Sequence, residues 1–198
     1  MLLSGPRYCG IIQPAALGRL VMAAPDRQLL LVTKLGFHYG LRPGEFAGLN
    51  ATDNLIFENN QLAEIFVGRH VTCGVGQMVR IVKINPVDRQ LFHLLLPPSG
   101  PLFGVRDPWG RFCRFAEGIG IDICRNCALR SYLVHARVNG MSAVEAATRT
   151  GRGHLDYDRH ILSPFNSELA GEYFNCDFNL ARIATLPWHR RRLAQVTS

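Results

Sequence analysis

The sequence has no run of apolar residues approaching the roughly 18 to 20 that a membrane-spanning helix requires. Its first residues, Met1 to Ile12, carry Arg7 after the leucines and not before a long apolar core, so they do not read as a secretory signal. A cytoplasmic protein without membrane contact is expected. Zinc-binding patterns are also missing. Of the six cysteines only Cys124 and Cys127 stand in a CxxC pair, and no second pair or histidine cluster completes a tetrahedral set. No metal or other cofactor is therefore expected. A chain of 198 residues with 47% apolar content can build a core without disulfide staples, so reduced thiols are expected. Acidic side chains are scarce as well: 15 of them face 22 lysines and arginines. The resulting net charge of +7 favours an anionic partner such as nucleic acid, although the same excess also serves solubility.

The length suits one domain, or one domain with a short appendage. Residues 1–13 read as an irregular segment. Pro14 suits a first helical turn, and Leu17, Leu20, Val21 and Ala24 follow at helical spacing. Pro25-Asp26 breaks that helix, and Asp26 can cap the next. This second helix, Arg27 to Tyr39, is apolar nearly all round, which predicts a buried central element. Gly40 fits its C-terminal cap. Pro43 then opens a short helix holding Glu45, Phe46 and Leu49.

Three strand-like runs follow: Leu55 to Phe57, Leu62 to Val67, and Met78 to Ile84. Glu58-Asn59-Asn60 and a glycine-bearing stretch, residues 68–76, separate them. They predict a small three-stranded antiparallel sheet. Further helices are predicted at Asp88 to Leu96, between Pro108 and Glu117, and at Ala128 to Asn139. Another starts at Ser142, whose spacing to Glu145 is that of a capping box, and ends near Gly151. A last helix around Ser167 to Ile183 leads to the basic end Trp188-His189-Arg190-Arg191-Arg192. The fold class is α+β, mostly helical.

The junctions are more specific than the elements. Gly40-Leu41-Arg42-Pro43-Gly44-Glu45, followed by Leu49 and Asp53, resembles the first signature of the tyrosine recombinases, the phage integrase family. In that family the arginine contacts the scissile phosphate. A helix start beside a guanidinium suits this task, because backbone N–H groups and a delocalised charge converge there. Phe66-Val67-Gly68-Arg69 resembles the strand end that presents a catalytic lysine, and Val79-Arg80-Ile81-Val82 resembles the returning strand. Cys127-Ala128-Leu129-Arg130 stands where the family has His-x-x-Arg. Gly153-His154 resembles the third signature, and His154 lies 24 positions after Arg130. The resemblance spans residues 14–163. It implies an integrase-like catalytic domain over residues 14–165, with a C-terminal helix and basic tail over 166–198.

Three catalytic positions depart from the pattern. Arg69 replaces the lysine; it can hold a phosphate but is a poor proton donor, because it stays charged at any accessible pH. Cys127 replaces the histidine. Ser163, nine positions after His154, stands where the nucleophilic tyrosine belongs. A serine hydroxyl ionises far less readily than a phenol, and no base is evident beside it. Tyr157 lies within about one helical turn of His154, and Tyr173 would need an insertion to reach the site.

The resemblance thus implies a duplex-DNA-binding protein in which Arg42, Arg69, Arg80, Arg130 and His154 grip the backbone and strand cleavage is impaired or lost. Such a protein would act in, or regulate, DNA recombination or integration. Two alternatives stand beside it. One is an active recombinase with a displaced nucleophile at Tyr173, Tyr157 or Ser163. The other is a protein-interaction module that keeps the fold without binding DNA. The C-terminal segment would serve self-association or docking to a partner recombinase. Blander readings remain for single residues: Arg42 paired with Glu45 or Asp53 on a surface turn, Arg130 as an ordinary helix-start arginine, and Cys127 as a compact buried residue.

Overall fold

The computed structural model describes residues 7–8, 11–67, 80–151 and 178–185. Helix α1, Pro14–Ala23, starts on its proline and buries Ala16, Leu17, Leu20 and Val21 along one face. The Asp26 carboxylate then accepts from the Gln28 and Leu29 amides at 2.9 and 3.2 Å, which opens α2, Arg27–Thr33. Helix α2 runs without interruption into a π turn, Lys34–His38. Leu29 to Val32, Leu35 and Phe37 are all buried, so this composite helix is the central element predicted from its all-round apolar character. Its Phe37 ring packs against Trp109 and Phe112, and Trp109 stacks in turn on Phe46 at 6.2 Å.

Strands β2 (Leu55–Glu58), β3 (Gln61–Val67) and β4 (Arg80–Lys83) form the antiparallel sheet in that order. Asn59 and Asn60 both take positive φ, 52° and 60°, which suits a tight hairpin whose twist matches the strands. Leu62, Ile65, Val67 and Val82 point into the core. The β3–β4 register sets Val67 opposite Arg80. Met78 and Val79, expected at the start of the third strand, lie outside the described residues.

Beyond the sheet come α4 (Arg89–Leu95), α5 (Pro108–Gly118), α6 (Cys127–Val138) and α7 (Ala143–Thr150). The Ser142 hydroxyl accepts from the Glu145 amide at 3.1 Å, as the capping-box spacing predicts. Helix α8, Leu180–Thr185, sets Ile183 into the same buried cluster as Leu17 and Leu35. The result is a mostly helical α+β fold with one small antiparallel sheet. No described helix is long and apolar enough to cross a membrane.

Three local expectations need correction. The N-terminal segment is not wholly irregular, because Arg7–Tyr8 forms a strand, β1, parallel to β5 (Asp122–Ile123). Two residues are too few for alternation to show. The helix expected after Pro43 is a single 3-10 turn, Pro43–Glu45. Beyond it the backbone pairs with the proline-rich loop, Leu102 N donating to Leu49 O at 2.9 Å and Ala51 N to Gly100 O at 2.8 Å. Asn50 then caps a one-turn helix, α3 (Ala51–Asn54), by accepting from Thr52 N at 2.8 Å. Finally, Phe178 and Asn179 are not helical, so no continuous helix reaches Ile183 from Ser167. Asn179 has φ 40° and its side chain accepts from Arg182 N at 2.9 Å, which starts α8 afresh.

The core carries one titratable group with a consequence for stability. His135 on α6 is fully buried, and burial pushes its imidazole down to about 4, against a raising contribution from its bond to the Ile12 backbone. The unfolded chain takes up this proton near pH 6.5 while the native state resists it until about pH 4. Stability from this residue is therefore complete above pH 6.5 and is lost as pH falls towards 4. Replacing His135 with glutamine should remove about 2 kcal/mol of the acid sensitivity seen between pH 7 and 4.5. Urea unfolding of both proteins across that window measures the difference.

Candidate functional site

The site is built on the turn after the π helix. Gly40 has φ +68°, and a Cβ there would lie 2.6 Å from Tyr132 Cδ1. Only glycine lets the turn approach α6 this closely. On the preceding turn a Cβ at Gly36 would meet the Ala128 Cβ at 3.3 Å, so the start of α6 lies against the same helix. Arg42 precedes a proline and is accordingly extended, with φ −85° and ψ 154°. Pro43 fixes the first position of the 3-10 turn and brings Glu45 back under it.

Glu45 is the buried anchor, 2% exposed. Its Oε2 accepts from the Arg42 backbone amide at 2.7 Å and from Arg80 Nη2 at 2.7 Å, while Oε1 accepts from Arg80 Nε at 3.4 Å. Arg80 also donates to the Gly40 carbonyl at 3.2 Å and to the Arg149 carbonyl. Arg42 Nη2 donates to the carbonyls of Thr150 and Gly151 at 2.5 and 2.7 Å. Those carbonyls end α7, where unpaired acceptors concentrate partial negative charge, so two guanidinium groups are favoured there. Gly151 takes φ +62°, and a Cβ on it would lie 3.2 Å from Arg80 Cδ and 3.5 Å from Arg42 Nη2.

Residues 42, 80 and 149–151 thus meet at one place, although more than a hundred positions separate Arg42 from Gly151. Arg42 is half-buried, and Arg80 only 6% exposed. The Arg80 donors point at Glu45, Gly40 and Arg149, which leaves little of that guanidinium for a ligand. Arg130 is half-buried on α6. Cys127, one turn earlier, is fully buried, with Sγ 3.9 Å from Ser131 Oγ. Its placement matches the compact core residue among the readings above. Arg69, His154, Tyr157, Ser163 and Tyr173 lie outside the described residues.

Two parts of this arrangement had no counterpart in the motif reading. One is the α7 terminus, which contributes backbone carbonyls and so leaves no side-chain pattern. The other is Tyr132, whose ring packs on Gly40 while its hydroxyl meets Met141 Sδ at 3.9 Å. Burial raises the Tyr132 phenol above its ordinary range, with Arg149 opposing, so it fits a packing role better than that of an ionised nucleophile. Among the described residues no group of three or more His, Cys, Asp or Glu side chains could hold a metal ion.

No family model matches the chain. No curated protein sequence matches it. Among solved structures, the crystal structure of XerA recombinase is similar, with a TM-score of 0.57 at 17% identity. The match covers 86% of this chain and 65% of that one, so the chain spans less than two thirds of the recombinase. At this identity the likeness establishes the fold, an integrase-like α+β arrangement, as the signature residues led us to expect.

Proposed function

We propose that this chain is a DNA-binding protein of the tyrosine recombinase type, impaired or inactive in strand cleavage, that acts in or regulates DNA recombination or integration. The observation that carries the proposal is the placement of Arg42. It stands half-buried at the end of α7, on a turn braced by the Glu45–Arg80 ion pair, within a recombinase-like fold. In this reading Arg42, Arg130, Arg69 and His154 hold a backbone phosphate. Arg80 contributes by fixing Glu45 and the α7 terminus, not by touching DNA.

Impairment follows from the chemistry of the altered positions. Strand cleavage needs a nucleophile, a proton donor for the leaving oxygen and cations on the phosphate. Arg42 and Arg130 supply cations. Cys127 lies in the core with its thiol facing Ser131, so it does not supply the proton donor that the family's histidine would. Ser163 offers a hydroxyl of high pKa in place of a phenol.

A nicked suicide duplex separates binding from cleavage. The expected outcome is a retarded complex and, after denaturation, no covalent protein–DNA adduct. An adduct mapped to Tyr173, Tyr157 or Ser163 would establish an active enzyme instead.

A further inference from the structure

We propose that Cys113 and Cys124 form an oxidisable pair that a hydroperoxide closes to a disulfide, with Cys127 taking no part. Spacing alone pairs Cys124 with Cys127, but Cys127 is fully buried and its sulfur faces Ser131. Cys113 lies in the middle of α5, half-buried, and its thiol donates to the Ile123 carbonyl at 3.7 Å. That carbonyl is bonded directly to the nitrogen of Cys124, which is also half-buried. One peptide unit therefore separates the Cys113 sulfur from the second cysteine. Helix α5 packs on β5, which holds the two backbones side by side; a disulfide needs its Cα atoms within about 7 Å. Both residues are half-buried, within reach of a small oxidant, and Cys127 is fully buried.

The step balances as follows. The Cys124 thiolate attacks one oxygen of the peroxide bond, which breaks; the other oxygen leaves with a proton as alcohol or water. Cys124 is then a sulfenic acid. The Cys113 thiolate attacks its sulfur, the S–S bond forms, and the hydroxyl departs as water. Two thiols have lost two electrons and two protons, and the peroxide has gained them. The second attack is the slow one. Burial pushes the Cys113 thiol up to about 11, Asp107, Asp122 and Cys124 push the same way, and Arg114 opposes them. Closure should therefore quicken by about tenfold per pH unit between 7 and 9, since the thiolate is the attacking species. The bond would tie α5 to the turn that opens α6, because Cys127 N donates to Cys124 O at 3.1 Å there. Arg130 lies one turn further on.

Trypsin gives a clean test, because cleavage after Arg111, Arg114, Arg125 and Arg130 places Cys113, Cys124 and Cys127 on three different peptides. The folded full-length chain is treated with hydrogen peroxide, alkylated in denaturant, digested and mapped by mass spectrometry. The expected product is Phe112–Arg114 joined to Phe115–Arg125, lighter by two hydrogens than the separate thiol peptides, with Asn126–Arg130 alkylated. Cys113→Ser and Cys124→Ser should each abolish it, with circular dichroism showing that the variants fold. The wild-type map alone decides the matter if a variant does not. A Cys124–Cys127 link, or oxidation of Cys124 to sulfinic acid without any link, would overturn the proposal.

Discussion

Replacing Glu45 with alanine is expected to lower the thermal unfolding midpoint by roughly 10 °C. The reason is the position of Arg80, whose side chain is 4% exposed and whose ion pair with Glu45 measures 2.7 Å. Removing one partner of a buried pair strands the other charge and costs about 3 to 5 kcal/mol. In a domain of this size each kcal/mol moves the midpoint by about 2 to 4 °C. The Arg42 amide loses its acceptor in the same variant, and the Pro43–Glu45 turn loses its brace. Glu45→Gln should recover part of the loss, since its carbonyl can still accept from Arg42 N or from Arg80. Differential scanning calorimetry of the three proteins orders them wild type, glutamine, alanine. Equal midpoints for wild type and alanine would mean that the Glu45–Arg80 pair does not hold the site together.

The second large effect concerns ligand binding. Under the proposed function, changing Arg42 and Arg130 together to alanine lowers affinity for duplex DNA by about 100-fold or more. Hydrogen bonds to charged groups are worth about 1.5 to 3 kcal/mol each, and a guanidinium meets phosphate with paired donors. Both residues are half-buried, so their loss should disturb the fold far less than loss of Glu45. Fluorescence anisotropy with a labelled duplex, alongside circular dichroism, separates the two effects. Intact folding with unchanged affinity would favour the protein-interaction reading.

Local devices were legible in the sequence because each acts within a few residues. The Asp26 cap, the left-handed Gly40, the Asn59-Asn60 hairpin and the Ser142–Glu145 box all follow from side-chain chemistry next to the backbone they control. The three strands were legible through their apolar runs. What could not be read depends on distance or on groups without a side-chain code. The Glu45–Arg80 pair joins residues 35 positions apart, so Glu45 looked like a partner for its neighbour Arg42. The carbonyls of Thr150 and Gly151 belong to every peptide, and only tertiary packing aims them at Arg42. Strand β1 is two residues long and exists because β5 lies beside it. Arg80 illustrates the general point: it was expected among the residues that grip DNA, and its buried side chain donates to Glu45, Gly40 and Arg149.

The salt dependence of duplex binding tests the central claim most directly. If Arg42 and its neighbours neutralise backbone phosphates, the logarithm of the association constant falls linearly with the logarithm of salt concentration, with a slope of about −0.9 per phosphate contacted. The wild-type protein should show a steep negative slope, and Arg42→Ala a slope shallower by about one unit. Parallel slopes for the two proteins, or an affinity indifferent to salt between low and moderate concentration, would contradict it.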